Sequence, residues 1–365
     1  LIQKDKKIEI ILLSANKKSN YLIQQAKKFK VKNLVITNKK SYLKLINNKS
    51  IKSRFNIFNN FDCFKKIFKR KIDYTMSAIT GIDGLSPTLD IIKHTKNIAI
   101  ANKESIICGW DLLKKELKKY NTNFIPVDSE HFSIWFELLS NNKNSNIKKI
   151  YITASGGPFR NRKINSFRNI SIKDAINHPN WKMGKKISID SATMVNKIFE
   201  LIEARNIFDI SYDQLSIIIH PESYIHAIIE YDNGLSKIIL HETDMKIPIF
   251  NSLYFPKIKK YRSKDIDFKK INNLELSSAD TKRYPSLKIL NYLPKKSSLF
   301  ETILVSTNDE LVDLFLNKKI NFNDISKNLL KIVKHSKYLK YKLLKAKKIG
   351  DIISLNSYVR SKIKN

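Results

Sequence analysis

The chain has 365 residues, 42% of them hydrophobic, enough for two or three domains with a sizeable core, which excludes a disordered or collagen-like protein. Its longest apolar runs, such as Ile98–Ala101 and Leu215–Ile219, fall far short of the roughly 18 to 20 residues of a membrane span. The 68 Lys+Arg against 33 Asp+Glu give a net charge of +35, a balance that ordinarily points to nucleic acid. Only nine of the basic residues are Arg, however, while Lys, Ile and Asn, which share AT-rich codons, are abundant. The basicity therefore reads as mutational bias, and an Arg-poor surface is unsuited to specific nucleic-acid recognition. Gly is scarce, so the few that remain are expected where a side chain does not fit. Cys63 and Cys108, with no CxxC pair, indicate a reducing compartment, read as the cytoplasm. No signal or transit peptide is visible.

In chain order, residues 8–14 predict a buried strand, followed by a helix to about Phe29 and a strand at Asn33–Thr37. A lysine-rich helical segment, a strand at Tyr74–Ile79, a helix at Ser86–His94 and a strand at Asn97–Ala101 continue the alternation. This is the pattern of βαβ units on a parallel, doubly wound sheet, with ligands beyond the carboxyl ends of the strands. After Phe124–Val127 the pattern becomes α+β: strands at Lys149–Thr153, Leu215–Ile219, Ile225–Glu230 and Ser236–Leu240 surround one long helix near 191–207. A lysine-rich connector opened by Pro248 and Pro256 runs to about 285, and helices fill the rest from Ser298. The expected organisation is an α/β chain of four segments: 1–127, dinucleotide-binding and Rossmann-like; 128–254, catalytic; 255–285, connector; 286–365, helical.

The densest polar cluster is Pro126-Val-Asp-Ser-Glu-His131. If it ends a strand, Asp128 and Glu130 point to one side, and two such carboxylates repel unless a cation separates them or one is protonated. A hard ion such as Mg²⁺ or Mn²⁺ suits oxygen ligands; a solvated turn with a helix N-cap is the alternative. In the stretch 178–197, Asp190 or Ser191 can cap a following helix on which Asn196, Lys197 and Glu200 share a face. With Ser191 at the helix start, that face suits a phosphate beside a metal, although an ordinary surface helix has the same spacing. Trp181, Met183 and Gly184 read as a lid or as packing anchors. Ser155-Gly-Gly-Pro158 is a candidate phosphate cradle or a plain turn. Around the strand start at 220–226, His226 could be an acid/base, a substrate donor or a core residue. Asn102-Lys-Glu-Ser105 lies where a doubly wound fold places ligand contacts.

Together and in this order, ANKES at 101–105, PVDSEH at 126–131, SGGPF at 155–159, HPNWKMGKKISIDSATMVNK at 178–197 with Glu200 and Glu203, IIHPES at 218–223 with IH at 225–226, and ETDMKIPI at 242–249 resemble the 1-deoxy-D-xylulose-5-phosphate reductoisomerase family. The resemblance runs from about Ile8 to about Ile325, including RYPSLK at 283–288 and ND at 308–309. It implies an NADPH- and Mg²⁺- or Mn²⁺-dependent homodimeric enzyme, with Co²⁺ a further candidate ion. The enzyme would rearrange and reduce 1-deoxy-D-xylulose 5-phosphate to 2-C-methyl-D-erythritol 4-phosphate in isoprenoid precursor synthesis. By resemblance, Asp128, Glu130 and Glu200 are the metal ligands. Ser155, Ser191, Asn196 and Lys197 hold the phosphate, and Lys103, Ser129 and Trp181 meet the substrate. Lys103, His178 and His226 take part in catalysis. Ala15, Asn16, Lys17, Gly81, Asn102, Lys103, Glu104, Gly184 and Met245 face the cofactor, with Lys17 at its 2′-phosphate.

The sequence departs from the family pattern in several places. The first strand and its GxTGxxG loop have no counterpart here, as if about 20 residues were missing upstream, so the chain as it stands is expected to bind NADPH poorly. Glu222 stands where Gln is common, His241 where Gly is common, and Thr243 replaces Pro. Two other readings are a degraded, inactive copy of such an enzyme and a basic nucleic-acid-binding protein. Magnesium-dependent phosphoryl transfer lacks the P-loop it would need. The genome implied is that of an AT-rich bacterium of endosymbiont type, or of a plastid-type organelle if a leader precedes Leu1.

Overall fold

In the computed structural model, which describes residues 1–3, 5–140 and 146–364, short strands alternate with helices at the start of the chain. These are β1 (Leu12–Ala15), α1 (Ser19–Phe29), β2 (Asn33–Ile36), α2 (Lys39–Ile46) and β3 (Asn56–Phe58). The three strands pair in parallel in the order β1-β2-β3. Leu22, Ile23 and Ala26, spaced for one face of α1, join Leu34, Ile36 and Leu45 in a buried core. The alternation continues through β4 (Ile72–Ser77), α3 (Leu85–Ile92), β5 (Thr95–Ile100), α4 (Lys103–Tyr120) and β6 (Asn123–Pro126). These strands form a second sheet, β4-β5-β6, in which β5 and β6 run parallel. The parallel, Rossmann-like character expected of this half is present. The strand β3 and the helix α4 had no counterpart among the predicted elements.

The contacts divide the chain into two compact units, Leu1–Thr75 with Asp90–Lys96 and Met76–Leu89 with Asn97–Asn365. In the second unit, α5 (Ser129–Ser140) follows β6, so the PVDSEH cluster belongs to a strand-loop-helix junction and not to a strand end. Farther on come β7 (Ile147–Ala154), α6 (Lys185–Ala192), α7 (Val195–Phe208), β8 (Leu215–Ile219), β9 (Ile225–Tyr231), β10 (Ser236–Leu240) and α8 (Lys246–Tyr254). The mixed sheet has the order β10-β9-β7-β8-β11, where β11 (Ser277–Ser278) lies in the connector and only β7 and β8 are parallel. Ile134 of α5 and Leu201 and Ala204 of α7 pack with Ile150, Ile152, Ala227 and Ile229 of the sheet. The long helix expected near 191–207 is α7, but it begins only at Val195, and Ser191 and Ala192 instead close α6. Met194 between the two helices takes a left-handed φ of 63°, and Thr193 bonds back to Ile189 and Asp190 carbonyls. Pro248 sits in the first turn of α8, where its missing N–H costs no helical bond, so the connector starts after Tyr254.

The helices expected after Ser298 are α9 (Phe300–Leu316), α10 (Phe322–Lys334) and α11 (Ile349–Lys364). Arg205 of α7 pairs with Glu301 of α9 at 3.1 Å, both buried, and so joins the mixed-sheet layer to the helical one. Burial raises the Glu301 carboxyl to about 7 against the pull of that Arg.

Candidate active site

Three elements of the second unit bring the predicted metal ligands together. Asp128 lies in the loop after β6, Glu130 in the first turn of α5, and Glu200 in the middle of α7. One carboxylate oxygen from each lies within 4.8 Å of the others. Two lysines reach into this group. Lys197 Nζ contacts Glu130 Oε1 at 2.5 Å and Glu200 Oε2 at 2.6 Å. Lys103 Nζ lies 3.0 Å from Asp128 Oδ2, 3.8 Å from Glu200 Oε1 and 3.9 Å from Glu203 Oε2, and it donates to Asn196 Oδ1 at 2.6 Å. Asn196 in turn donates to Glu200, as their i,i+4 spacing predicts. Ser129 donates to Glu130 at 2.6 Å.

Burial would lower the pKa of both lysines, yet the surrounding carboxylates overrule it and hold both above the ordinary lysine value. Asp128 is held well below its usual range, with Lys103 and the neighbouring cations outweighing burial. Glu200 is pushed up to about 8 by burial and by Glu130, and burial also raises Glu203 well above normal. Four carboxylates thus face two ammonium groups, which leaves a double negative charge when all are ionised and matches one divalent cation. The all-oxygen triad fits a hard ion such as Mg²⁺ or Mn²⁺, and the lysines hold its ligands in register. Glu203 and His131 belong to the quoted motifs, but the sequence assigns neither a role. His131 Nε2 donates to Glu200 O at 2.8 Å, which leaves its buried Nδ1 a bare acceptor 3.9 Å from Asp128.

The turn after β7 carries Ser155, whose Oγ accepts from Gly157 N at 3.1 Å and lies 3.0 Å from His178 Nε2. His178 Nδ1 accepts the backbone N–H groups of Trp181 at 3.0 Å and Asn180 at 3.2 Å. The neutral ring therefore carries its proton on Nε2, pointed at Ser155. Burial, helped by Lys197, lowers His178 to about 4 and keeps it neutral. Ser191 needs a correction: it occupies the last turn of α6 and caps nothing, since Met194 precedes α7. Asp190 is likewise not a cap. It is buried and bonded to Lys186 at 3.0 Å and Asn308 at 2.7 Å. The first turn of α7 instead presents Asn196 and Lys197.

Trp181 packs edge-on to His226, with ring centroids 6.4 Å apart, and Asn180 ties the 178–184 loop to Pro221 O and Ser223 Oγ. His226 stacks on His241 at 3.6 Å; burial and that ring keep it neutral, with its pKa well below the usual value. Met245 is half-buried at the start of α8 and Gly184 exposed at the start of α6. Asn102 caps α4 through Ser105 N at 2.7 Å and donates to the Gly81 carbonyl at 2.9 Å. Gly81 has φ +76° and ψ −177°, a conformation almost confined to glycine, with open space where a Cβ would point. Both oxygens of Glu104 are engaged, by Asn102 at 3.2 Å and Lys186 at 3.3 Å. Ala15, Asn16 and Lys17 belong to the first unit. There they end β1 and follow it, Asn16 and Lys17 being exposed. Gly81 and Asn102 likewise follow β4 and β5, at carboxyl ends of the kind that receive dinucleotides in parallel sheets.

Parallel βα units followed by a mixed sheet, with an oxygen-donor triad from the loop after β6, α5 and α7, two buried lysines and a Ser–His pair after β7, define the class of a metal-assisted enzyme on an α/β scaffold. Comparison with known proteins makes this specific. Family models match residues 1–109 (1-deoxy-D-xylulose 5-phosphate reductoisomerase), 124–208 (its C-terminal domain) and 240–362 (DXP reductoisomerase C-terminal domain). The chain is 60% identical over 366 residues to the 1-deoxy-D-xylulose 5-phosphate reductoisomerase of Pelagibacter ubique, covering 99% of this chain and 92% of that one. It is 38% identical over 325 residues to that of Clostridium tetani, covering 88% and 84%. Among solved structures, the Zymomonas mobilis enzyme in complex with NADPH superposes with a TM-score of 0.86 at 30% identity, over 99% of this chain and 93% of that one. A DOX-P reductoisomerase in complex with NADPH, fosmidomycin and magnesium gives 0.89 at 30% identity, over 100% and 93%. The chain belongs to the 1-deoxy-D-xylulose 5-phosphate reductoisomerase family.

Proposed function

We propose that the protein converts 1-deoxy-D-xylulose 5-phosphate to 2-C-methyl-D-erythritol 4-phosphate with NADPH and a divalent cation, in isoprenoid precursor synthesis. The observation that carries this reading is the convergence of Asp128, Glu130 and Glu200 around two lysines, beside the Ser155–His178 pair. Bound at the triad, Mg²⁺ or Mn²⁺ supplies Lewis-acid polarisation of the substrate's carbonyl and hydroxyl oxygens, and NADPH supplies the hydride that reduces the rearranged aldehyde.

The chain's own groups do the rest. Ser155, Ser191, Asn196 and Lys197 bind the phosphate, with His178 orienting Ser155 through its Nε2 proton. Lys103, always protonated among its carboxylates, meets the developing negative charge on the sugar backbone, and Ser129 orients Glu130. Trp181 and His226 wall the pocket against water, and Met183 and Gly184 belong to the loop over it. Ala15, Asn16, Lys17, Gly81, Asn102, Glu104 and Met245 form the cofactor side. Segment 1–127 is the NADPH-binding domain, 128–254 the catalytic and dimerisation domain, 255–285 the connector and 286–365 the helical domain. The enzyme acts as a homodimer in the bacterial cytoplasm, in keeping with two buried free cysteines.

The test is NADPH oxidation, followed by absorbance, on adding 1-deoxy-D-xylulose 5-phosphate and Mn²⁺. Glu200→Gln is expected to abolish turnover and leave the circular dichroism spectrum unchanged. Retained turnover in that variant would sink the metal assignment.

A further inference from the structure

Resting on that reading of Asp128, Glu130 and Glu200, we infer that the acceptor-lined space between Asp128, His131 and Glu203 is a second berth for the Lys103 ammonium, entered when a metal ion takes its present carboxylates. Lys103 now sits on two of the three metal ligands, Asp128 and Glu200. A divalent cation bound at those carboxylates repels an ammonium held against them, which drives Lys103 Nζ away from Asp128 and Glu200. Its root is fixed, because Lys103 is the first residue of α4 and Asn102 caps that helix.

The nearest refuge is visible. Glu203 follows Glu200 by one helical turn on α7, its Oε2 is buried without a hydrogen-bond partner, and it lies 3.9 Å from Nζ. A charge-assisted bond spans about 2.8 Å, so a shift of about 1 Å would close it. His131 Nδ1 is the second orphan: fully buried, unpartnered, and fixed as an acceptor by the bond from Nε2 to Glu200 O. Oxygens of Asp128 and Glu203 and a nitrogen of His131 lie within 4.8 Å of one another. A space lined by lone pairs calls for a donor, and an ammonium has three N–H groups to offer. Asn196 Oδ1, already bonded to Nζ at 2.6 Å, is the pivot. Glu203 and His131 are thus positioning residues: they act on the metal through Lys103.

The experiment is a double-mutant cycle on Mn²⁺ affinity, read by electron paramagnetic resonance on the full chain without substrate. Glu203→Gln is expected to weaken Mn²⁺ binding about tenfold in the wild-type background and less than about twofold in a Lys103→Met background. Glu203→Asp, which keeps the charge but withdraws the acceptor, should weaken binding as well and covers the case in which the Gln variant does not fold. Equal weakening in both backgrounds overturns the berth, because Glu203 then acts by charge alone. Two bound ions per chain, the second lost in Glu203→Gln, overturn it in favour of a second metal site. Loss of Mn²⁺ binding in Glu200→Gln tests the ligand assignment separately, so failure of that reading is distinguishable.

Discussion

At Glu200, burial and the Glu130 carboxylate favour the neutral acid up to about pH 8, whereas a metal ion needs the carboxylate. Below that pH each ion bound must release a proton. Apparent Mn²⁺ affinity is therefore expected to rise by up to about tenfold per pH unit towards pH 8 and to level off above it. Titrations between about pH 6 and about pH 9 check this, and a flat profile would contradict it. Much of this site is legible in the sequence. The D-x-E pair and the i,i+4 and i,i+3 spacings of Asn196, Lys197 and Glu200 name the candidate ligands and their common face, although Asp128 and Glu130 meet at a loop and a helix start and not on one side of a strand. The roles of Glu203 and His131 are not legible, because a carboxylate one turn farther along a helix reads as an ordinary polar face until burial makes it an orphan. The lysines too are indistinguishable by spacing from the solvated ones; burial against Asp128 and Glu200 singles out Lys103.

Among the elements, the proposed anion pocket depends on two breaks in regular structure. The turn after β7 needs glycine: Gly157 has φ +66°, and a Cβ there would come within 3.0 Å of Ala192 Cα and Ser191 O at the end of α6. Gly157→Ala should therefore cost about 1–3 kcal/mol and push the Ser155 turn away from Ser191. A lower melting temperature together with a raised KM for the phosphorylated substrate is the expected result; unchanged values of both would show that the turn yields freely. The second break, at Met194, is illegible because no Gly or Pro marks it. Thr193, through Ile189 and Asp190 carbonyls, and Ser286, through the Thr193 carbonyl, hold a left-handed residue that local propensity disfavours. Strands β7 to β10 of the mixed sheet were easier, since short apolar runs bounded by turn residues have few other readings, whereas the Ser277–Ser278 strand offers no such run. The helix α4 was missed although Ile106, Trp110, Leu113 and Leu117 recur with helical spacing on its buried face.

For the whole molecule, the +35 charge and the site separate into two populations of lysine. Lys103 and Lys197 have side chains only 12% and 10% exposed and each lies among several carboxylates, whereas Lys96, Lys148 and Lys364 are each 60% exposed even where they meet a carboxylate. In the proposed reaction the first set acts at the site, and the second sets the long-range field. A phosphorylated sugar and a dinucleotide are both anions, so that field raises their encounter rate without altering the bound geometry. Raising ionic strength from about 0.01 M to about 1 M shortens the screening length from about 30 Å to about 3 Å. Over that range kcat/KM for the sugar phosphate is expected to fall about tenfold, with kcat holding, because surface charge acts on approach and the buried pairs are screened far less. Initial rates at several salt concentrations, with the divalent ion kept saturating, measure this. A kcat/KM independent of salt would mean that the lysine surface contributes nothing to substrate capture, and a kcat falling in parallel would place the salt effect inside the site.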